Sequence, residues 1–456
     1  MPIRTADLPE LNRADYDSLV EIFGELSDNF LIDRFLLANS FLENDAADII
    51  DRQYSKTPKK RKKYLSKHVG QYIAASTLLH NMDGWKYYGA AISSLLKGDI
   101  NIAKHLIYYS ELRACMSLLA SNGIGVFNNR HLLVNNKKKV SGINKKITGS
   151  NTNKVGTHEF SWEAFNYLRR EDSFLNRIFD NFHVDGIKLS EWLDKFGINA
   201  SHLSSITSNL LNLLSFDLSQ FAKDRSARNE ASYRPNNIFE NKTFNLNDIL
   251  SEIEDIWILS QPMGSQGEIT IDLIILTEIL QSSFKNTHVF GKSHKSANKQ
   301  YRHKLEIMLN SFGLAEARKT QLLNIFNSSN NNIFRYITNQ DIKSDKFIVG
   351  MLYRAFIFLR LSNNYVRNIL KKNNHIDKES LYFWWNNLGI STGLWQEGYE
   401  PENFEDLWED IYTAIEESKL DSVSPNFSTN ELWTKFSNFA FLFSTYNRVG
   451  LWGLGI

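Results

Sequence analysis

The chain is short of cysteine, of proline and of long apolar runs, and each shortage removes a class of protein. Its 456 residues hold one cysteine, Cys115. A single thiol closes no intramolecular disulfide and cannot build a cysteine-rich zinc site, which fits a reducing compartment. Only seven prolines interrupt the chain, so helices can run long. No stretch reaches the roughly 18 uninterrupted apolar residues of a membrane span. Met1–Leu19 carries charges where a signal peptide needs an apolar run. Neither sign of charge dominates: 52 basic and 51 acidic side chains leave a net charge of +1. Any attraction for nucleic acid or anionic lipid must therefore be local. The expectation is a soluble, cytoplasmic protein that enters no membrane.

What is present is ordinary for a globular protein: 42% hydrophobic and 23% charged residues, enough apolar surface for a sizeable core. A chain of this length suggests two or three domains. Apolar residues recur at three- and four-residue steps through most of it, so the fold class is all-α, a multi-helix bundle. The divisions expected are an N-terminal helical region over 1–60, a bundle over 61–237 and a second helical domain over 238–456. Tyr16–Leu26 and Phe30–Leu42 read as the first helices. His68–Gly98 reads as two more, the second being Trp85–Lys97, with Gly98 as the stop. After 238, helices are expected at Leu246–Leu259, Ile269–Phe284, Tyr301–Phe312 and Lys346–Leu361.

Two segments stand out. In the first, Asp99 occupies an N-cap position before a helix from about Ile100 to Ser121, with His105, Tyr109, Leu112 and Met116 on one face. Glu111 and Arg113 are polar groups within this apolar stretch; Arg113 reads either as a salt-bridged, partly buried side chain or as a site residue. Past Gly123 the pattern turns to short β-like runs, Ile124–Phe127 and Leu132–Val134, around Asn128-Asn129-Arg130-His131, a small hairpin. The second segment, Asp217–Pro235, continues a core stripe of Leu210, Leu211, Leu213, Leu214, Leu218 and Phe221 into a polar stretch. There Asp224 stands four residues before Arg228, an ion-pair spacing, and Pro235 ends the helix at about Ser232 or Tyr233. Ser161 reads as the cap of an intervening helix.

Charge is concentrated in a few runs. Lys59–Lys63 is basic throughout and reads either as a solvated turn or as a nucleic-acid or import patch. The loop over 135–158 has lysines at Lys137, Lys138, Lys139, Lys145, Lys146 and Lys154 and no acid. It is a basic insertion, able to follow a phosphate backbone or simply to solubilise. Lys285–Lys304 is also basic, with Lys292, Lys295, Lys299 and Arg302 as further nucleic-acid contacts. Glu397–Asp421 is strongly acidic and suits a basic partner or another copy of the chain.

Several chemistries are missing. Gly291-Lys292-Ser293 lacks the first glycine of a phosphate loop, which would be Asn286, and follows a helical rather than a strand pattern. His288, His294 and His303 have neither ligand spacing nor a nearby carboxylate. There is no G-x-S-x-G elbow, H-E-x-x-H, G-x-G-x-x-G or calcium loop. Glu417-Ser418-Lys419 offers the E-x-K of some nucleases, but on a helical pattern. No metal and no cofactor are expected.

Arg228-Asn229-Glu230-Ala231-Ser232-Tyr233 resembles the Arg-Asn-x-x-x-His signature of the HEPN superfamily, with tyrosine in the histidine position. The long helix bearing Tyr108-Tyr109, followed by Gly123 and His131, is similar to the front half of some members, the YaaC-like group included. The resemblance covers at most about Tyr64–Asn237. It implies an HEPN-like bundle. It also implies an RNA-directed role in bacterial anti-phage defence or a toxin-type system, as a metal-independent ribonuclease or a degenerate copy of one. The site implied is Arg228, Asn229 and Tyr233 with Arg113 or His131 assisting. Tyrosine, with an unperturbed pKa of about 10, is a poor acid–base group near neutral pH, so His131 or His105 would have to act, or the copy is not catalytic. Two other readings stay open: a non-catalytic scaffold or adaptor that binds protein partners or its own copies, and a nucleic-acid-binding accessory protein that holds RNA or DNA through its basic loops.

Overall fold

Glycine position, more than glycine content, sets the lengths of the two central helices. The computed structural model describes residues 8–26, 67–127, 130–143, 156–178, 182–198, 203–214, 216–233, 246–261, 270–288, 294–328, 332–337, 345–374, 382–402, 404, 406–420 and 444–453. After a 3-10 turn over Leu8–Arg13 and a short helix α1 (Tyr16–Gly24), helix α2 runs without a break over Lys67–Leu96. The two helices expected between His68 and Gly98 are one. Its glycines are approach points instead of breaks. A Cβ on Gly84 would lie 2.5 Å from Leu359 Cδ2, and one on Gly89 would lie 2.2 Å from the Ser444 carbonyl oxygen. Small residues there let neighbouring segments reach the helix backbone. The real stop is Gly98, whose φ of +80° is left-handed and costs glycine no strain.

Helix α3 (Ile100–Ser121) follows with the expected bounds. Asp99 stands at its N-cap, but its side chain makes no capping hydrogen bond; its carbonyl accepts from the Ala103 amide instead. Gly123, also left-handed, turns the chain into an antiparallel sheet of three strands: β1 (Ile124–Phe127), β2 (Arg130–Val134) and β3 (Val140–Gly142), in that order. The expected hairpin is its first pair, with Ile124 opposite Leu133. The start of the basic loop supplies the third strand, paired through Leu133 and Ser141.

Helix α4 spans Thr157–Leu168 with Gly156 at its N-cap. Ser161 is not its cap; it lies one turn inside, its hydroxyl donating to the Thr157 carbonyl. Helix α5 (Asp172–Ile178) leads to a two-stranded turn, β4 (His183–Val184) and β5 (Ile187–Lys188), and to helix α6 (Leu189–Lys195). The stripe from Leu210 to Phe221 is cut in two: helix α7 (Leu203–Leu213) ends at Leu213, which is exposed rather than in the core, and helix α8 covers Leu218–Tyr233. The break has a local cause. The Asp217 carboxylate accepts from the Ser219 and Gln220 amides and starts a fresh helix, an N-cap the apolar pattern conceals. Helix α8 ends at Tyr233, within the expected range.

The rest of the described chain is helical: α9 (Leu246–Leu259), α10 (Ile271–His288), α11 (His294–Asn310), α12 (Glu316–Asn327), α13 (Asn332–Ile337), α14 (Asp345–Lys372), α15 (Tyr382–Ser391), α16 (Asp406–Leu420) and α17 (Val449–Trp452). Glu417-Ser418-Lys419 lies in α16. Helix α3 is the axis of the molecule, with α2, α14, α8 and α4 packed round it. One hydrophobic cluster runs from Leu11 to Trp452 and takes residues from both sides of Asn237. The last turn is seated in it: Trp452 Nε1 donates to the Ser260 carbonyl at 2.9 Å, and a Cβ on Gly450 would meet the Met82 sulfur at 2.5 Å. The protein is predominantly α-helical with a small β insertion, and among the described residues no helix is long and apolar enough to cross a membrane. Phe30–Leu42, Lys59–Lys63 and Gly291-Lys292-Ser293 lie outside the described residues.

Candidate functional site

The crossing of α8 over α3 places two arginines, Arg354 from α14 and Arg228 from α8, in opposite electrostatic surroundings. The expected pair of Asp224 with Arg228 does not form. Asp224 turns inward, where its Oδ1 accepts from Arg354 Nη2 at 2.8 Å and from the Gln220 amide at 3.1 Å. Glu111 of α3 sits on the same guanidinium, its Oε1 3.5 Å from Nε. All three side chains are fully buried. One guanidinium balances one carboxylate, and a second bare charge in this medium would be costly. Burial, and then the Asp224 charge, push the Glu111 carboxyl well above the usual range; burial raises Asp224 too, against the pull of Arg354. Asp224 holds the better hydrogen bonds, so Glu111 is the member that keeps a proton.

One turn further along the same two helices the arrangement opens. Arg228, i+4 from Asp224, lies across the rings of Tyr108 and Tyr109, each centroid 5.3 Å from its Cζ. Its Nη1 donates to Asn229 Oδ1 at 2.8 Å and its Nη2 to Tyr109 Oη at 3.3 Å. Nη2 also stands 3.3 Å from His158 Nε2. A guanidinium only donates, so Nε2 of His158 is the acceptor and its proton sits on Nδ1. That Nδ1–H then donates to Tyr108 Oη at 3.0 Å, which also accepts from Trp162 Nε1 at 3.2 Å. Burial, and then the charges of Arg228, Arg225 and Arg113, push His158 down to about 4. It is a neutral imidazole at physiological pH. His105, one turn before Tyr109, is also lowered, by burial and Arg228. The Ser232 hydroxyl donates to the Arg228 carbonyl at 2.8 Å, so His105 Nδ1, 2.7 Å away, is the donor to Ser232 Oγ.

Three arginines gather here, and two have carboxylates. Arg225 lies 3.7 Å from Glu159, and Arg113 lies 3.7 Å from Asp83 while donating to His80 Nδ1 at 2.9 Å. Arg228 has none among the described residues, and its Nε is buried without a hydrogen-bond partner. The result is a surplus positive charge with an unused donor, flanked by a neutral imidazole and phenolic hydroxyls. That is a setting for an oxyanion such as phosphate.

The sequence-derived site residues divide accordingly. Arg228 and Asn229 are together; Arg113 is at the margin, engaged with α2. His131 is buried on β2 with its ring face to face with Phe160, 3.7 Å between centroids, and does not stand against Arg228. Tyr233 is 85% exposed, so the helix end does not unwind to bring it into a cleft. His158, which sequence reasoning passed over, takes the place beside Arg228, and Trp162 supports it through the shared Tyr108 hydroxyl. Neither spacing nor composition links His158 to an arginine 70 residues away; only the packing of α4 on α3 and α8 does.

Of the proposed nucleic-acid lysines, Lys137, Lys138 and Lys139 lie exposed in the turn between β2 and β3, and Lys138 is paired with Glu21 and Glu25 of the α1 region. Lys299 and Arg302 are exposed on α11, Arg302 bonded to Glu306 at 3.1 Å. Lys145, Lys146 and Lys292 lie outside the described residues, and Lys295 falls in α11 without a described side chain. Among the described residues no cluster of histidine, cysteine and carboxylate side chains has the makings of a metal site. No family model, no curated protein and no solved structure matches the chain.

Proposed function

We propose that the half-buried surface around Arg228 binds a phosphodiester of RNA and that the protein is an HEPN-like, RNA-directed component of a bacterial defence or toxin-type system. The observation that carries this reading is the unbalanced guanidinium of Arg228, with a buried unused Nε, hydrogen-bonded to an imidazole kept neutral. In a cleaving enzyme each group has a task. His158 Nε2, released when Arg228 turns to the phosphate, takes the proton of a ribose 2′-hydroxyl. The 2′-oxygen attacks phosphorus to give a 2′,3′-cyclic phosphate, and the departing 5′-oxygen takes a proton from the Tyr109 hydroxyl or from water. Arg228 meets the charge that builds on the non-bridging oxygens. His158 thus occupies the role that the family's motif gives to the position of Tyr233.

The exposure of Tyr233 favours a second reading, a non-catalytic copy that retains RNA or protein binding at the same place. One experiment separates them: incubate single-stranded RNA with the protein and with folded Arg228→Ala and His158→Ala variants, following both cleavage and retention. Cleavage that falls about 100- to 1,000-fold in Arg228→Ala, the scale for losing one preorganised donor, supports the enzyme. Arg228-dependent retention without cleavage supports the binding copy. RNA handled equally well by a folded Arg228→Ala protein removes the site from either reading.

A further inference from the structure

Beside Arg228 is a column of flat rings whose faces the phosphate chemistry does not use; it calls at most on the Tyr109 hydroxyl. Tyr109 carries His105 on one side, centroids 4.9 Å apart, and Tyr87 of α2 on another, stacked at 5.4 Å and 29°. Tyr87 is half-buried, and among the described residues no ring besides Tyr109 packs on it. Its neighbour Lys86 is exposed, and the residues round the column, Asp83, Arg113, Glu159 and Arg228, are charged. An apolar protein partner would have to bury these charges; a charged polymer with flat bases would not.

We infer that Tyr87, backed by Tyr109 and His105, is a stacking platform for an unpaired base next to the phosphate held by Arg228, so that the nucleic acid recognised is single-stranded. The inference rests on the phosphate reading of Arg228. Every base offers a π-face, so such a platform tolerates sequence but demands bases that are not already stacked on both sides. Within a duplex they are covered. The inner rings are held: Arg228 lies over Tyr109 and donates to its hydroxyl, so the platform is rigid before a base arrives and ordering it costs little on binding.

The test measures fluorescence anisotropy with three labelled probes of equal length: a single-stranded RNA octamer, an abasic ribose-phosphate octamer and an RNA duplex. The expected result is that the single strand binds roughly 5- to 100-fold more tightly than the abasic strand, the range of one base–aromatic stack, and more tightly than the duplex. Tyr87→Ala should bring the single strand down to the abasic level, and Tyr87→Phe should restore it. Equal binding of all three probes, with binding still dependent on Arg228, overturns the platform and leaves the phosphate reading standing. Binding that a folded Arg228→Ala variant does not weaken overturns the phosphate reading itself. A single-strand preference unchanged in Tyr87→Ala overturns the assignment to Tyr87.

Discussion

Arg354 and Arg228 serve the same three-helix junction and have opposite environments. Arg354 is fully buried against Glu111 and Asp224, with a carbonyl from Ile337 as well. Arg228 is half-buried, lies on tyrosine rings and, among the described residues, donates its hydrogen bonds to neutral groups. The first is balanced by the Asp224 carboxylate beside a Glu111 that keeps its proton; the second faces no carboxylate among the described residues. An arginine whose charge is met inside the core is fastening helices together; one that no carboxylate meets is available to a ligand. The two are bound by helix geometry, since Asp224 and Arg228 are one turn apart on α8 while Glu111 and Tyr108 are one turn apart on α3. Fastening the buried pair therefore sets the spacing of the open one.

The contrast breaks most visibly in stability. Arg354→Ala leaves buried carboxylates without a counter-charge and should cost about 3–5 kcal/mol, read as a collapse of the denaturation midpoint, with part of the loss recovered when Asp224→Asn is added. Arg228→Ala strands no carboxylate and loses chiefly its contact with the rings, about 1 kcal/mol. A folded Arg354→Ala protein of parental stability would show that the buried triad does not hold the junction.

The pH dependence of the two regions should run in opposite directions. Glu111 and Asp224 are raised in the folded protein, so the native state binds more protons than the unfolded chain. Their contribution is complete below the unfolded carboxyl value of about 4 and is lost as pH rises through the raised native values. His158 is lowered to about 4, and His80 and His105 are lowered as well. Their contribution is present above the unfolded histidine value of about 6.5 and is lost as pH falls toward the native values. Glu111→Gln should keep the shape of the triad and remove its share of the loss at rising pH, so its melting temperature should fall less between pH 5 and 8 than that of the parent. Parallel melting curves would show that Glu111 holds no proton. In the open region, the His158 ring should titrate by NMR near 4 and move upward when inorganic phosphate is added.

The smallest expected effect is at the motif position itself. Tyr233→His puts histidine where the HEPN-like signature has it, on a side chain that is 85% exposed, so any cleavage, and melting, should both stay near parental levels. A gain in ribonuclease activity would mean that the end of α8 folds back over Arg228 when RNA binds.

Much of the frame was legible before any coordinates. The bounds of Ile100–Ser121 and Leu246–Leu259, the stop at Gly98, the hairpin after Gly123 and the end of α8 all follow from local chemistry: helical periodicity, left-handed glycine, a proline ahead. The errors share a cause. A break before Trp85 looks natural until Leu359 is seen to fill the space a Cβ on Gly84 would take. Asp224 looks like the partner of Arg228 until Arg354, 130 residues away, takes it into the core. Helix type and most helix ends lie within reach of sequence because they depend on residues a few positions apart. That Arg228 is left without a carboxylate among the described residues, that His158 is its neutral neighbour, and that Tyr87 stands next in the column of rings were decided only by tertiary packing. A side chain's charge balance and proton affinity depend on what the rest of the chain brings within a few ångströms.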